Sequence, residues 1–439
     1  MAVVFYLTKC PSNASIREES NMKFIFRLAI KNLSRYRRRT AITAGAIAIG
    51  IMAFIVVDSI FLGAKLESER NLRLYETASL RIYTPDYWDE RHFLPLEYSI
   101  KDPSKVLQIL EDRGLKATPR TLFSADMILY KQDFHEDGTL PVTVTAVNPE
   151  TDSSVYKFED TLQQGRFLKP GEMDGIVIGS WFAEDIGAEV GYWVTLLTRG
   201  NGGFYEAFDM QIVGIVNCPN PNVNRTLVMM DIQAADTFLA MEGAVTNIDI
   251  SLGNVKDIES AALSLQTVLE KAGHDLAVYS WKDLAKDYLA LMSADRGVSN
   301  IILFLVFIIA AVGVSNTMLM AMYERMREIG MMRALGMQDR SIYMLLLIEA
   351  GGIGFLGSLI GCLFGAVINL YLVETGIDFG FMFRNMDIGY RIQSIMRGSW
   401  SFSTIAKAFL SGILLSMIVA LTPIRRAMKQ DIPTCLHHQ

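Results

Sequence analysis

The sequence is poor in cysteine, poor in charge and has no excess of basic residues. Its 4 cysteines lie far apart and none forms a Cys-x-x-Cys pair, which argues against a disulfide framework and against a zinc site. Charged residues make up only 20% of the 439 residues, and the formal net charge is -6. No stripe of Lys and Arg is interleaved with aromatics, so an electrostatic case for nucleic-acid binding is missing.

The sequence also lacks the motifs of common catalysts. No window fits the phosphate loop G-x-x-x-x-G-K-[ST], so the chain is not predicted to hydrolyse ATP in that way. The motifs H-E-x-x-H and G-x-S-x-G are absent as well, which leaves a zinc protease or a serine hydrolase with little support. We therefore predict no catalytic residue, no metal site and no enzymatic activity for this chain.

Apolar side chains are abundant instead. They make up 51% of the sequence and collect in four windows, residues 41–64, 298–322, 342–373 and 404–424. Each window reaches the roughly 20 residues that a membrane-spanning helix needs. The third is long for one crossing, so we expect it to tilt or to project beyond the bilayer. Pro423 is expected at the end of the fourth helix, where a missing N–H costs little.

The positions of Lys and Arg predict the orientation of these spans. Basic residues are dense in residues 22–40, 323–341 and 425–439, and they are fewer in the loop of residues 374–403. Both termini are therefore expected in the cytoplasm, with the long segment of residues 65–297 on the outer side. The predicted fold class is an α-helical membrane protein with four transmembrane helices and a large α+β extracytoplasmic domain inserted between spans one and two.

The two N-terminal stretches differ in character. We expect residues 1–21 to be an upstream extension without fixed structure, because Met22 opens a basic, amphipathic stretch better suited to a mature N-terminus. Residues 22–40 have the pattern of an interfacial helix on an anionic inner leaflet; a basic anchor that only orients the chain is the equal alternative. The apolar residues of this stretch are Phe24, Phe26, Leu28, Ile30 and Leu33.

The segment of residues 65–297 mixes strand and helix patterns. Strands are predicted by β-branched runs at residues 140–147, 175–178, 193–197 and 210–216. A helix pattern at residues 255–272 stands between two strand-like regions, so at least one βαβ unit is expected. Residues 66–77 and 281–292 are predicted to be helical stalks that continue spans one and two outward.

Polar residues inside spans are functional candidates by default. Asp58 and Lys407 lie near the outer interface, where mutual pairing or snorkelling is the simpler interpretation. Glu349 lies deeper, near the cytoplasmic end of span three, so an internal hydrogen bond or a partner contact is expected. Asn316 in span two remains a candidate.

Three glycines recur every four residues in span three, at Gly357, Gly361 and Gly365. This spacing places them on one face of a helix, where backbones approach closely. It predicts a helix-packing seam. The seam faces either another span of this chain or a second permease subunit, and the sequence favours neither.

The most specific block is residues 323–340, YERMREIGMMRALGMQDR. The spacing of Met326, Ile329, Met332 and Leu335 predicts a helix with an apolar stripe, and Gly336 suits its end. The charged residues would then be available to a partner protein: Glu324, Arg325, Arg327, Glu328 and Arg333. An interfacial helix that merely connects two spans is the simpler alternative. The residues alone do not decide between this interpretation and a helix that binds a partner.

At this block the sequence resembles the FtsX-like permease family of ABC transporters, the mechanotransmission type that includes MacB-like exporters and the lipoprotein-releasing LolC and LolE permeases. The matching stretches are residues 29–40 (AIKNLSRYRRRT), residues 324–336 (ERMREIGMMRALG) leading into Glu349-Ala350, and residues 423–436 (PIRRAMKQDIPTCL). Residues 164–167 (QGRF) and 213–215 (VGI) look like the MacB-type extracytoplasmic core domain of that family.

The resemblance implies that the cytoplasmic helix of residues 323–336 is the coupling helix that docks on an ATPase. It implies this role for Glu324, Arg325, Arg327, Glu328, Ile329, Gly330, Arg333, Ala334, Leu335 and Gly336. It also implies a homo- or heterodimer of permeases in a bacterial inner membrane, with ATP and Mg bound by a separate ATPase subunit and no cofactor bound by this chain.

Three functions remain open at this point. The first is lipoprotein release or export of an amphiphile, with a lipoprotein or a periplasmic adaptor as a further candidate partner. The second is an FtsX-like signalling subunit that regulates a cell-wall hydrolase. The third, a membrane-anchored enzyme in the external domain, has the least support because the catalytic motifs are absent.

Overall fold

The computed structural model describes residues 25–33, 35, 37–130, 134, 137–253, 257–290, 322–378 and 395–429, and isolated positions between 301 and 320. The chain divides into two compact units. The membrane unit holds Met1–Gly63, Asp295–Ile377 and Met396–Gln439, and the external unit holds Ala64–Ala294 and Asp378–Ile395. The expected extension, residues 1–21, lies outside the described residues.

Helices and strands alternate through the external unit, whereas the described parts of the membrane unit are mainly helical. The helices named here are α1 (Arg37–Leu72), α2 (Pro85–Glu90), α3 (Pro103–Glu111), α4 (Pro149–Val155), α5 (Ser180–Ile186), α6 (Pro221–Thr226), α7 (Ile232–Leu239), α8 (Ile258–Lys271), α9 (Trp281–Leu284), α10 (Met326–Ala334), α11 (Asp339–Glu374) and α12 (Phe402–Met428). The strands are β1 (Leu80–Tyr83), β2 (Lys116–Leu129), β3 (Gly138–Val147), β4 (Leu162–Gly165), β5 (Gly175–Gly179), β6 (Trp193–Arg199), β7 (Tyr205–Val216), β8 (Val228–Asp231), β9 (Asn247–Ser251), β10 (Ala277–Ser280), β11 (Ile377–Asp378) and β12 (Ile395–Met396).

Within the described residues, three helices are long and apolar enough to cross a membrane: Thr40–Thr77, Asp339–Glu374 and Phe402–Met428. They contain the predicted spans one, three and four. Most of the predicted second span lies outside the described residues, and its described positions are helical. Helix α11 has 36 residues, about 54 Å at 1.5 Å per residue, against a hydrocarbon thickness of about 30 Å.

Helix α12 corrects the expectation for Pro423. The proline lies inside the helix, which continues to Met428. A proline in a helix interior removes one backbone hydrogen bond, and neighbouring helices make this tolerable in membrane proteins. Here Ile424 and Ala427, which follow the proline, are buried in the same apolar cluster as Ile342 of α11, so packing holds the last turn in place.

The external unit is built on one mixed sheet. Its strand order is β10-β1-β9-β2-β3-β8-β5-β7-β4, and β6 pairs with both β2 and β7. The pairs β3–β8 and β5–β7 are parallel, and the other strand pairs described in this sheet are antiparallel. The alternating apolar residues of β2, β3, β6 and β7 form the largest core cluster together with α5 and α7, as expected for a sheet covered by helices.

The predicted βαβ unit is present in a split form. Strand β9, helix α8 and strand β10 follow one another in sequence, but β1 lies between β9 and β10 and is antiparallel to both. The side chain of Gln266 in α8 accepts a hydrogen bond from Val278 N and donates one to Leu276 O, at 2.9 and 3.1 Å. These bonds satisfy backbone groups at the β10 edge, which protects an edge strand from unwanted pairing.

The two predicted stalks pack against each other inside the external unit. Leu72 at the end of α1 is buried in a cluster with Trp281 and Tyr288, and the Tyr288 hydroxyl donates a 2.6 Å hydrogen bond to Ser68 Oγ. The first stalk is continuous with span one, because α1 runs from Arg37 to Leu72 and a π-helical turn, Arg73–Thr77, follows it.

Two buried arginines tie the strands of the external unit together. Arg81 in β1 is paired with the carboxylate of Asp249 in β9, and Arg120 in β2 donates two hydrogen bonds to Asp152 in α4, at 2.9 and 3.0 Å. Tyr156 connects the two pairs. Its hydroxyl donates a 2.7 Å hydrogen bond to Asp249, and the Arg120 guanidinium lies 3.5 Å from the centre of its ring.

Candidate functional site

The proposed coupling segment forms a short helix with a well-defined end. Helix α10 begins after Arg325 and ends at Ala334. Gly336 has a φ of +88°, and Gly336 N and Met337 N donate 3.0 Å hydrogen bonds to the carbonyls of Arg333 and Met332. This is a Schellman ending, in which a left-handed residue stops the helix. The prediction that Gly336 ends the helix is confirmed.

The two faces of α10 differ in part from the sequence interpretation. Met326 and Ile329 are buried, as the apolar stripe predicts, and Gly330 is buried beside them. Leu335, however, is 88% exposed, because the helix ends before it and the stripe does not continue to its position. The exposed residues of the segment are Tyr323, Glu324, Arg327, Met331, Ala334, Leu335 and Gly336.

The structure also corrects the expectation for Arg325. It was expected on the face available to a partner, but only 4% of it is exposed. Its Nη1 donates hydrogen bonds of 2.5 and 2.7 Å to the two carboxylate oxygens of Glu349 in α11, and its Nε donates one of 3.0 Å to Glu328. Burial alone would lower the pKa of the guanidinium, but its bonds to Glu349 raise that pKa above its ordinary value. Glu349 thus makes the expected internal bond, and the pair fastens the start of α10 to span three.

Glu328 extends this connection toward the surface, whereas Arg333 forms a separate pair at the other end of the helix. Their side chains are only 31% and 16% exposed, so both are engaged within the chain and the expectation that they are available to a partner is corrected. Glu328 lies 3.9 Å from Arg35, whose side chain is 69% exposed. Arg333 bonds to Asp339 at the start of α11, at 3.0 Å. Both ends of α10 are therefore held to neighbouring elements of the membrane unit by charged pairs.

The N-terminal helix of residues 25–33 supports the same region. Ile25 and Ala29 are buried against Leu345 of α11, with Met332 and Met337 packed beside them. On the same helix, Phe26 and Ile30 are 54% and 52% exposed. Exposed apolar residues four apart are those that an interfacial helix would present to lipid.

The glycine seam of span three packs against span one of the same chain. A Cβ atom added at Gly357 would lie 2.8 Å from Ala44 O, and one added at Gly361 would lie 2.7 Å from Ala48 O. At Gly365 it would lie 3.1 Å from Ile55 Cδ1. Because real Cβ atoms do not approach backbone oxygens so closely, Gly357 and Gly361 require glycine, whereas at Gly365 a side-chain neighbour would only have to shift slightly. Of the two alternatives that the sequence left open, the structure shows an intrachain contact.

At the outer end of span one, Asp58 accepts a 2.8 Å hydrogen bond from Thr404 Oγ1 at the start of α12. It forms no ion pair with Lys407 among the described salt bridges, so the expected mutual pairing is not observed. Asn316, the remaining candidate, is exposed in the described part of the second span.

Sequence reasoning missed the polar contact beside Asp58. Ser59 Oγ donates to Asn369 of α11, a residue that is 2% exposed, and accepts a 3.0 Å bond from Ser399 N. A lone serine and a lone asparagine give no spacing signal, because their contact joins helices distant in sequence. Among the described residues no group of three or more His, Cys, Asp and Glu side chains is arranged to hold a metal ion.

Comparisons with known proteins agree with this architecture. Residues 40–268 match the family model for the MacB-like periplasmic core domain, and residues 300–432 match the FtsX-like permease C-terminal model. The chain is 23% identical to the lipoprotein-releasing system transmembrane protein LolC of Neisseria meningitidis, over 91% of this chain and 94% of that protein. It is 22% identical to an uncharacterized ABC transporter permease of Methanocaldococcus jannaschii, over 84% of this chain and 89% of that protein.

A third relative is longer than this chain. The macrolide export ATP-binding/permease protein MacB of Pasteurella multocida is 21% identical over 92% of this chain and 58% of that protein. The two family models fall on both units of the molecule, on the spans with helix α10 and on most of the mixed sheet. The chain therefore belongs to the FtsX-like ABC transporter permeases that carry a MacB-like extracytoplasmic core domain.

Proposed function

We propose that this chain is a permease subunit that couples ATP binding and hydrolysis by a separate ATPase subunit to movement of its extracytoplasmic domain. The observation that supports this most is the fastening of α10. The helix is pinned to span three by the Arg325–Glu349 bonds and leaves an apolar residue, Leu335, almost fully exposed beside it.

The exposed surface of the segment has the composition of a protein interface. Leu335 and Met331 are 88% and 46% exposed, and the exposed Glu324 and Arg327 lie on the same segment. Apolar anchors surrounded by charged residues are typical of interface centres. Complete burial of a leucine side chain contributes about 1.5–3 kcal/mol, which corresponds to a change in affinity of about tenfold or more.

The long helices offer a route for transmitting motion. A force applied at α10 reaches α11 through the Arg325–Glu349 pair, and α11 packs directly on α1 through the glycine seam. Helix α1 continues without a break to Leu72. A shift of the coupling segment would therefore move helices rather than side chains alone, because packed helices move as rigid elements.

For the substrate, we propose lipoprotein release or export of an amphiphile. The relatives support this choice, since one is a lipoprotein-releasing protein and another a macrolide exporter by name. The proposal includes a permease dimer in a bacterial inner membrane, with both termini cytoplasmic and with ATP and Mg bound by the ATPase. No described feature favours the signalling alternative, and it is not carried forward.

The test uses the full chain in a mild detergent, purified from its native membrane. In the wild type an ATP-hydrolysing subunit should co-purify. Leu335→Asp places a charge at the proposed anchor, and we expect it to reduce the co-purified ATPase activity at least about tenfold, in line with the loss of a buried leucine. Mass spectrometry of the eluate identifies the subunit.

Leu263→Asp is the matched control, because Leu263 is a leucine of the external unit that is 71% exposed. It should leave co-purification unchanged. Retention of the ATPase by Leu335→Asp would contradict the coupling role, as would an equal loss in both variants. Recovery of a cell-wall hydrolase as the main external partner would instead favour signalling.

A further inference from the structure

The external unit contains an open cleft of about 470 Å³ beside the π-helical turn that follows α1. Its size lies in the range of small-molecule sites. Three sections of the unit form its walls: the end of the first stalk, the end of α4 and the end of β9. The lining residues are Arg70, Arg73, Leu74, Tyr75, Ser79, Val155, Lys157, Asp160, Ser251 and Gly253.

The charge in the cleft is unbalanced toward positive. Arg70, Arg73 and Lys157 face one carboxylate, Asp160, which lies 4.0 Å from Lys157. Arg70 has a distant contact with Glu67, at 3.9 Å. Among the described residues, Arg73 has no ion pair with a carboxylate, and its Nε donates a 3.4 Å hydrogen bond to Glu69 O.

The local backbone is arranged to present these side chains. The turn of Arg73–Thr77 is π-helical, a conformation that is rare and occurs often at functional sites. Lys157 N donates a 3.3 Å hydrogen bond to Leu74 O, which holds the end of α4 next to this turn. As a result Arg73 and Lys157, which are distant in sequence, line the same cleft.

We propose that this cleft binds a phosphate group, either free or as the headgroup of an anionic amphiphile. A phosphate accepts several charge-assisted hydrogen bonds at once, and the guanidinium fork matches its geometry. Ser79 and Ser251 line the same cleft. Leu74 and Val155 form an apolar wall beside the charged groups, which suits the first methylenes of a lipid chain.

Binding is measured by calorimetry on the full chain in a neutral detergent, with two probes. One probe is inorganic phosphate and the other is dihexanoyl phosphatidylglycerol below its micelle concentration. Arg73→Gln removes a charged hydrogen-bond donor, so we expect it to weaken binding of whichever probe is recognised by about tenfold or more. Lys157→Gln should weaken the same probe independently.

Arg113→Gln is the matched control. Like Arg73, Arg113 donates to the carbonyl four residues before it, Ile109 O, at 2.9 Å, but it does not line the cleft. It should change affinity by less than about twofold, since loss of a distant surface charge has a small effect. The thermal unfolding temperature of each variant verifies that it is folded.

The two probes separate the sources of the phosphate. Tighter, Arg73-dependent binding of the lipid supports a headgroup site, and equal binding of both probes supports a site for free phosphate. Absence of saturable binding by either probe would overturn the proposal, and so would binding that Arg73→Gln and Lys157→Gln leave unchanged. An equal loss in Arg113→Gln would also overturn it, because the attraction would then be general. None of these outcomes depends on an ATPase, so failure here leaves the coupling role standing.

Discussion

The external unit and the membrane unit each bury arginine among carboxylates, but they enclose the carboxylates to different degrees. In the external unit, the side chains of Arg120 and Asp152 are 5% and 2% exposed, and that of Asp249 is fully enclosed. In the membrane unit, Arg325 and Glu349 are 5% and 11% exposed, but Glu328 is 31% exposed and leads to Arg35 at the surface.

This difference separates two roles of arginine–carboxylate pairs, one in folding the sheet and one at the proposed docking surface. The enclosed cluster joins β1, β2, β9 and α4, so its bonds determine how distant parts of the chain pack into one sheet. The open cluster joins the start of α10 to α11 at a surface where a partner is proposed to dock. A pair with one side open to water lies within reach of a docking partner, whereas the enclosed pairs are buried away from such a contact.

The largest effect is expected from Asp249→Asn in the enclosed cluster. The substitution leaves the buried Arg81 without its carboxylate, and breaking a buried pair in this way costs about 3–5 kcal/mol. The free energy of unfolding of the external unit should fall by that amount, and amide hydrogen exchange should localise the loss to β1 and β9. The exposed pair Lys282–Glu259, with side chains 50% and 66% exposed, supplies the control, because Lys282→Gln should change little. An equal loss of unfolding free energy in the two variants would mean that burial does not determine how much a pair stabilises the unit.

An intermediate effect is expected from Arg325→Met in the open cluster. Glu349 keeps its burial but loses two charged hydrogen bonds, which are worth about 1.5–3 kcal/mol. The unfolding midpoint of the full chain in an SDS titration should fall. The double variant Arg325→Met with Glu349→Met should recover most of that loss, because it removes both charges together.

A separate measurement tests whether the open pair also serves coupling. The double variant is expected to recover stability but not ATPase-coupled activity, since the methionines no longer hold α10 in a fixed direction. Recovery of both properties would show that the pair contributes stability alone and would remove the distinction drawn between the two clusters.

Several elements could be predicted from the sequence because their signals are local. The apolar windows located spans one, three and four, and the four-residue spacing of Gly357, Gly361 and Gly365 predicted the seam. Gly336 marked the end of α10. Each of these follows from residues within a few helical turns of one another.

What could not be predicted depends on contacts between distant residues. From the sequence, Arg325 is interpreted as a surface charge, because its partner Glu349 lies on another helix. The βαβ unit is split by β1, which comes more than a hundred residues earlier in the chain than β9. Leu335 follows the apolar spacing of α10, but the helix ends one residue before it. In each case the partner or the helix end is a property of the folded chain.

The smallest effect is expected at a third pair, Arg166–Glu172, whose side chains are 43% and 11% exposed. The hydrogen bonds from Arg166 hold the pKa of the Glu172 carboxyl below its ordinary value of 4.5. Because this pKa is lower in the folded than in the unfolded state, the stabilisation is present above about pH 4.5 and is lost as the pH falls through the lowered pKa.

At neutral pH, Glu172→Gln should therefore reduce the free energy of unfolding of the external unit by about 0.5–1 kcal/mol, the range of a partly exposed pair. The difference from the wild type should shrink as the pH falls through the lowered pKa, because the wild-type carboxyl then becomes protonated. Urea unfolding of the full chain between pH 7 and pH 3 measures this directly. A difference that stays constant over that range would show that Glu172 acts through packing and not through its charge, and the ordering of the three pairs by enclosure would then rest on the two buried clusters alone.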